Sequence, residues 1–275
     1  MSNDLFCVFR EFIYRMTGIY FQEHKKYLLE GRISKRVQLL GLDSCEDYLQ
    51  LLKYGTRRAE ELAHFYDAIT INETFFFRNE PQFEAFEQML VPALLERRGS
   101  LTHQKLRVWS AASSSGEEAH TLAMIYLEKL RRKYQGLEFE VVGTDISSAV
   151  LETARKAVYR EYSIRNMPRH YLEKYFAVED ARYVLREEVK DFVRFEHLNL
   201  YDQTRMRQMT NFDVIFCCNV LIYFDIRSKI QVVSNLYNAL NRGGYLFIGY
   251  AESLHGISTA FKLVNFPRTV AYRKE

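Results

Sequence analysis

The stretch from Leu106 to Met124, LRVWSAASSSGEEAHTLAM, constrains the fold more than any other part of the chain. A short apolar run, Leu106, Val108 and Trp109, leads into six small residues, Ser110 to Ser115, and then Gly116. Glu117 and Glu118 open a helical pattern. Ala119, Leu122, Ala123, Tyr126, Leu127 and Leu130 recur at i, i+3, i+4, i+7, i+8 and i+11 and make one apolar stripe. Strand, small-residue turn and helix form the first unit of a nucleotide-type α/β fold. Small side chains let a ligand approach the backbone, and a helix N-terminus offers free N–H groups. The two glutamates argue against phosphate, because a phosphate loop carries Lys at the helix entry. They suit a cationic ligand. Acidic residues also favour the first turn of any helix, so this stretch alone fits a plain surface turn equally well.

From Leu106 onward strands and helices alternate, which implies a parallel sheet. A second strand, Phe139 to Thr144, ends at Asp145, which fits either a ribose diol or a helix cap next to Ser147. A third, Val193 to His197, runs into Asn199 and Leu200, and a fourth, Val214 to Cys218, ends at Asn219. A helix over Ser228 to Leu240 precedes Gly243-Gly244 and a fifth strand, Tyr245 to Ile248. The tail reads as a closing hairpin around Pro267. Open α/β sheets bind ligands at the carboxyl ends of their strands. Ser110–Gly116, Asp145, Asn199-Leu200 and Asn219 all fall there.

Residues 1 to about 71 read as helices only, with stops at Gly18 and Gly41 and a capping box at Ser44 and Asp47. The second helix carries Lys25, Lys26, Arg32, Lys35 and Arg36 against Glu23 and Glu30. Its basic side is either a solvated face or a dock for an acidic partner. The join, ITINETFFFR, sets three phenylalanines before Arg78, whose planar fork can anchor a carboxylate. A formal charge of +3 is too small to imply nucleic acid. Cys7, Cys45, Cys217 and Cys218 lack metal-ligand spacing, so no metal is expected, and reduced cytoplasmic thiols fit best. No leader pattern is seen, and no apolar run approaches about 18 residues, so no membrane insertion is expected.

The segments ITINETFFFR, VWSAASSSGEEAHTLAM, VVGTDIS, NLYD and FDVIFCCNVLIYF, in that order after a helical region, resemble the CheR family of chemotaxis receptor-glutamate O-methyltransferases. The resemblance implies a Rossmann-like class I methyltransferase sheet preceded by a small all-helical N-terminal domain. It places a receptor-docking domain at 1–71, a linker and helix carrying N-x-T-x-F-F-R at 72–99, and the methyltransferase domain at 100–275, with a reduced β-subdomain near 176–192. It further implies S-adenosylmethionine as cofactor, S-adenosylhomocysteine as product, and the cytoplasmic region of methyl-accepting chemotaxis receptors as partner. Asn72, Thr74 and Arg78 would line the methionine end, together with Glu117 or Glu118, and Asp145 would take the ribose. Asn199, Leu200, Cys218 and Asn219 would flank the adenine, and Tyr223 would stand with Arg78 by the transferred methyl. Lys25, Arg32, Lys35 and Arg36 would dock the receptor.

The chain departs from the family pattern at Ala119-His120, where Pro-Tyr is usual, at Cys218, where Arg is common, and at Tyr250, a frequent His. FAVEDARYVLR, 176–186, has no glycine to grip a receptor's C-terminal pentapeptide, so no such tether is expected. A cofactor-binding scaffold without turnover, or a methyltransferase for another substrate, remain the alternatives at this level.

Overall fold

The computed structural model describes residues 1–99 and 104–275; the expected junction at residues 99–100 adjoins 100–103, which lie outside the described residues. Four helices come first: α1 (Asn3–Thr17), α2 (Lys26–Leu40), α3 (Cys45–Tyr54) and α4 (Arg58–Ile69). Their ends follow local chemistry. Ser2 caps α1 by accepting the Leu5 amide, Gly18 closes it at φ 72°, and Ser44 caps α3 by accepting the Asp47 amide. Phe9, Ile13, Leu29, Tyr48 and Phe65 are fully buried and form a core of their own.

A continuous helical run follows, α5 (Glu80–Ala85), a π turn (Phe86–Leu90) and α6 (Val91–Arg98). Then β1 (Lys105–Ala111) leads to α7 (Glu117–Ile125), a second π turn and α8 (Arg131–Lys133). Next come β2 (Glu138–Asp145), α9 (Ser148–Lys156), β3 (Val158–Tyr159), α10 (Glu161–Ile164) and α11 (Arg169–Tyr175). They are followed by β4 (Phe176–Glu179), β5 (Arg182–Leu185), α12 (Glu187–Lys190), β6 (Val193–His197) and α13 (Gln203–Met206). The chain closes with β7 (Phe212–Cys217), α14 (Ile226–Ala239), β8 (Leu240–Ile248), β9 (Phe261–Phe266) and β10 (Thr269–Lys274).

The main sheet has seven strands in the order β6-β2-β1-β7-β8-β10-β9. The five strands from β6 to β8 are parallel; in the closing hairpin β10 runs antiparallel to them, and β9, antiparallel to β10, returns to their direction. Alternate residues go to opposite cores. Leu106, Val108, Val141, Val214 and Phe216 face one, and Trp109, Val142 and Ile215 face the other. A second, three-stranded sheet has the order β3-β5-β4. It draws its first strand from upstream of 176–192, and its hairpin turns tightly through Asp180 and Ala181, both at positive φ. Gly116 sits at φ 90°, and a Cβ there would lie 2.8 Å from both Ala154 and Phe195, so the helix entry can pack only as glycine.

The helical layer closes over the carboxyl ends of the strands. Tyr14 donates to the Asp225 carboxylate, the Asn199 amide donates to the Met16 carbonyl at 2.7 Å, and the Tyr20 amide donates to the Tyr223 carbonyl at 3.0 Å. Ser147 donates to Asp67 at 2.7 Å. Gly18 makes room for Tyr201, whose ring would stand 2.5 Å from a Cβ.

Arg36 is not on the open face that the helical periodicity suggests. Its guanidinium is bidentate to the buried Glu61 carboxylate at 2.9 and 2.8 Å, and the Tyr48 hydroxyl adds a third bond at 2.7 Å. Breaking such a pair leaves a charge stranded. Glu61→Leu should therefore destabilise the protein by about 2–4 kcal/mol in urea unfolding. Lys35→Glu, on the exposed side of α2, should change stability by less than about 0.5 kcal/mol. Equal effects of the two substitutions would contradict this reading of the basic helix.

Candidate functional site

A cavity of about 460 Å³ opens between the helical layer and the carboxyl ends of β1, β2, β6 and β7. Its floor is the loop between β1 and α7. Ala112 and Ser114 adopt positive φ, 59° and 51°, which turns successive amides inward. The Ser114 amide donates to Asp145 Oδ2 and the Ser147 amide to Oδ1, each at 2.9 Å. Asp145 is nearly buried, and burial pushes its carboxyl above the ordinary value against the pull of those amides. The Ile146 amide adds a third bond, which leaves the carboxylate one lone pair for a ligand.

The two glutamates part company. Glu118 lines the cavity and accepts from the Ser110 hydroxyl at 2.7 Å; desolvation pushes its carboxyl up to about 7. Glu117 turns away. It is buried and accepts from Ser115 at 2.7 Å and Ser163 at 2.9 Å, outside the cavity lining. Of the two glutamates, either of which was expected in the pocket, Glu118 lines the cavity, while the Glu117 carboxylate is aimed at Ser163 of α10 and at its own neighbour Ser115.

Asn72, Thr74 and Arg78 all reach the cavity. Phe77, at φ 55°, swings the chain so that Arg78 follows a buried ring yet points outward, with Nη1 donating to the Glu73 carbonyl at 2.5 Å. Leu200 forms wall, as does Asn199, but the polar ends of Asn199 are taken up by the Met16 carbonyl and the Tyr201 amide. Cys218 lines the cavity and donates to the buried Gln82 at 3.2 Å, and burial holds its thiol well above the ordinary value. Asn219 stands at φ 63° on the rim. Tyr223 is half-buried beside it; desolvation raises its phenol, while Arg78 and Arg32 draw it down.

Arg32 is the second basic residue that the structure moves. It lines the cavity, and its Nη1 donates to the Ile69 carbonyl at 2.6 Å. Lys25 is exposed but also lines the cavity, and Lys35 stays exposed away from it. Three residues of the site escape the sequence reading. Glu252 accepts the amides of Asn219, Ile222 and Gly249 at 3.0, 3.1 and 2.6 Å and so shapes the rim. Asp67 braces the loop after β2, and Gln82 ties Cys218 to the Ile248 carbonyl at 2.7 Å. Only Glu252 had a signal, an acid just past a strand end. Among the described residues no group of three or more His, Cys, Asp or Glu could hold a metal ion, and no helix is long and apolar enough to cross a membrane.

Comparison with known families assigns residues 72–270 to the model described as CheR methyltransferase, SAM binding domain, and residues 4–70 to CheR methyltransferase, all-alpha domain. The chain belongs to the CheR methyltransferase family. Chemotaxis protein methyltransferase 2 of Vibrio cholerae is 35% identical over 100% of this chain and 94% of its own length. Chemotaxis protein methyltransferase 1 of Pseudomonas aeruginosa is 32% identical over 99% and 98%, and the Borreliella burgdorferi chemotaxis protein methyltransferase 33% identical over 89% and 86%. This CheR methyltransferase is therefore an S-adenosylmethionine-dependent enzyme, with an all-helical domain before a Rossmann-like sheet.

The position of Glu118 gives a pH test. A cationic ligand favours the ionised carboxylate, and that form fills as pH rises through about 7. Affinity of this CheR methyltransferase for S-adenosylmethionine should rise roughly five- to tenfold between about pH 6 and 7.5. Glu118→Gln should flatten the profile in calorimetric titrations. A flat wild-type profile would separate Glu118 from the cation.

Proposed function

We propose that this chain transfers the methyl group of S-adenosylmethionine to the γ-carboxylate of glutamates on methyl-accepting chemotaxis receptors, leaving glutamate methyl ester and S-adenosylhomocysteine. The observation that carries this reading is that Tyr223, Arg78 and Arg32 line one cavity with the acids Glu118 and Asp145. A carboxylate substrate and a cationic methyl donor need those two kinds of surface side by side. The names of the relatives point the same way.

The residues present fit the donor. Asp145 is nearly buried and is bonded by the amides of Ser114, Ser147 and Ile146, which still leaves one of its four lone pairs as an acceptor for a ribose hydroxyl. Glu118 suits a positive group, and Arg78 with Asn72 and Thr74 suits an amino-acid end. Leu200, Cys218 and Asn219 offer a wall for a flat base, with Asn199 as its brace. When bound, S-adenosylmethionine supplies a methyl on a positively charged sulfur.

A glutamate side chain is already ionised near pH 7, so its oxygen needs no general base. What the protein provides is placement and removal of water. Tyr223 keeps its proton at neutral pH, because its phenol is raised, and can orient one carboxylate oxygen while the other stays free. Arg32 and Arg78 hold the carboxylate at the opening. The exposed Lys25 and Lys35 contribute longer-range attraction to an acidic receptor in the cytoplasm. No pentapeptide tether is part of this reading, because the β4–β5 turn offers only Asp180 and Ala181.

The decisive experiment follows radiolabelled methyl from the cofactor into receptor protein and then exposes the product to mild base. Base-labile label supports the ester; label that survives base, or no transfer to receptor, refutes it. Tyr223→Phe should lower kcat by roughly ten- to a hundredfold, about 1.4–2.7 kcal/mol, with cofactor affinity near wild type. Asp145→Ala should instead weaken cofactor binding by about 1.5–3 kcal/mol. If the two variants show the same defect, the roles assigned to them are wrong.

A further inference from the structure

The rim of the cavity carries a cation that none of the roles above uses. β3 runs into α10, and the turn that follows lays Arg165 against the 72–78 segment. The Arg165 guanidinium carbon stands 3.4 Å from the Phe75 ring centroid and 3.6 Å from that of Tyr162. Its Nη1 donates to the Tyr162 carbonyl at 2.6 Å, and the Tyr162 hydroxyl donates to Glu73 Oε1 at 2.6 Å. Glu73 and Phe75 are themselves cavity-lining residues. The side chain is fastened at both rings and yet exposed.

That combination is unusual for an exposed arginine. A free one samples many rotamers and loses them on binding a partner. Here two aromatic faces and the bonds to Tyr162 have already fixed the fork, and a guanidinium's five N–H groups exceed those bonds, which leaves donors for a ligand. The local charge is also right for an anion. Glu73, the acid beside both Arg165 and Arg78, already accepts from Tyr162, and the other acids near them, Glu117 and Glu118, are each bonded to serine hydroxyls. Arg78 lies 5.7 Å from the same Phe75 centroid. The two cations are thus separated by no more than the sum of their distances to one ring. Side chains one turn apart on a helix stand about 5–6 Å apart at Cβ, and longer acidic side chains can splay to reach both.

We infer that Arg165 is a substrate-specificity residue, which binds a second carboxylate of the substrate, an acidic side chain about one helical turn from the glutamate being methylated. The inference rests on the receptor-glutamate reading above. It assigns Arg78 and Arg32 to the reacting carboxylate and Arg165 to its neighbour. Arg165 then acts on substrate capture, leaving the methyl-transfer step to Tyr223.

The test uses the full-length enzyme and a cytoplasmic receptor fragment with one target glutamate, in two versions. One keeps the acidic residues one turn from the target; the other has them changed to Gln. With wild-type enzyme, neutralising those neighbours should raise KM roughly five- to thirtyfold. Arg165→Ala should raise KM on the acidic fragment by a similar factor and make KM indifferent to the neighbours. Both kcat and cofactor affinity should stay within about twofold, which also verifies folding. Arg165→Lys, a point charge without the planar fork, should keep part of the discrimination. A wild-type KM in Arg165→Ala, or an equal loss on both fragments, overturns the inference, the second because it marks Arg165 as only a staple for α10. Absence of base-labile label on both fragments with wild-type enzyme overturns the functional reading and this inference with it.

Discussion

Asp145 accepts the amides of Ser114 and Ser147, one on each oxygen, from a position nearly closed to water. Those two bonds join the loop after β1 to the loop after β2, and much of the cavity inherits its shape from them. The strained turn through Ala112 and Ser114 persists because Asp145 and the Thr144 carbonyl take its amides. Glu252 repeats the device on the other side, where one carboxylate gathers three amides and holds Asn219 at positive φ. In both places a carboxylate that could repel an anionic ligand is first used to order backbone. The buried Asp145 carboxylate is tolerated because amide dipoles satisfy it.

The helical layer completes the cavity from the other side, and its attachment explains why the site needs both parts of the chain. Tyr14, Met16, Tyr20 and Asp67 each meet a loop at a strand end. Asn199, expected at a ligand, lines the cavity and also clamps the two layers together. Arg32, expected on a docking face, reaches the cavity across the same junction. One basic helix thus divides its charges three ways. Arg36 goes to the helical core, Arg32 and, from the turn just before the helix, Lys25 to the cavity, and Lys35 to solvent.

These outcomes mark where sequence reasoning reaches and where it stops. The five parallel strands and the residues at their carboxyl ends were legible, because alternation along a strand and the end-of-strand rule both act locally. The choice between Glu117 and Glu118 was not. Neighbours on a helix point about 100° apart, and the direction of the first turn depends on Gly116 packing against Ala154 and Phe195. The pairing of Arg36 is illegible for a similar reason: its partner Glu61 lies on another helix, and helical periodicity is blind to a partner outside the helix. β3 has two residues and no period to detect. Gln82 and Asp67 act through backbone and side chains brought together only by the fold.

The charges around Tyr223 also bear on how the proposed reaction is balanced. Arginines that gripped a substrate carboxylate fully would stabilise the ion more than the transition state, since its charge fades as the ester forms. The structure moderates that grip. Arg78 and Arg32 each give one N–H to a backbone carbonyl, of Glu73 and Ile69, before any substrate arrives. Tyr223, a neutral donor whose phenol is raised and stays protonated, contributes no formal charge to the reacting oxygen. Ionic attraction is thereby concentrated on capture at the opening, while a hydrogen bond sets direction at the reacting atom. Once the ester has formed, the arginines lose their counter-charge, so the product is held less tightly than the substrate it came from.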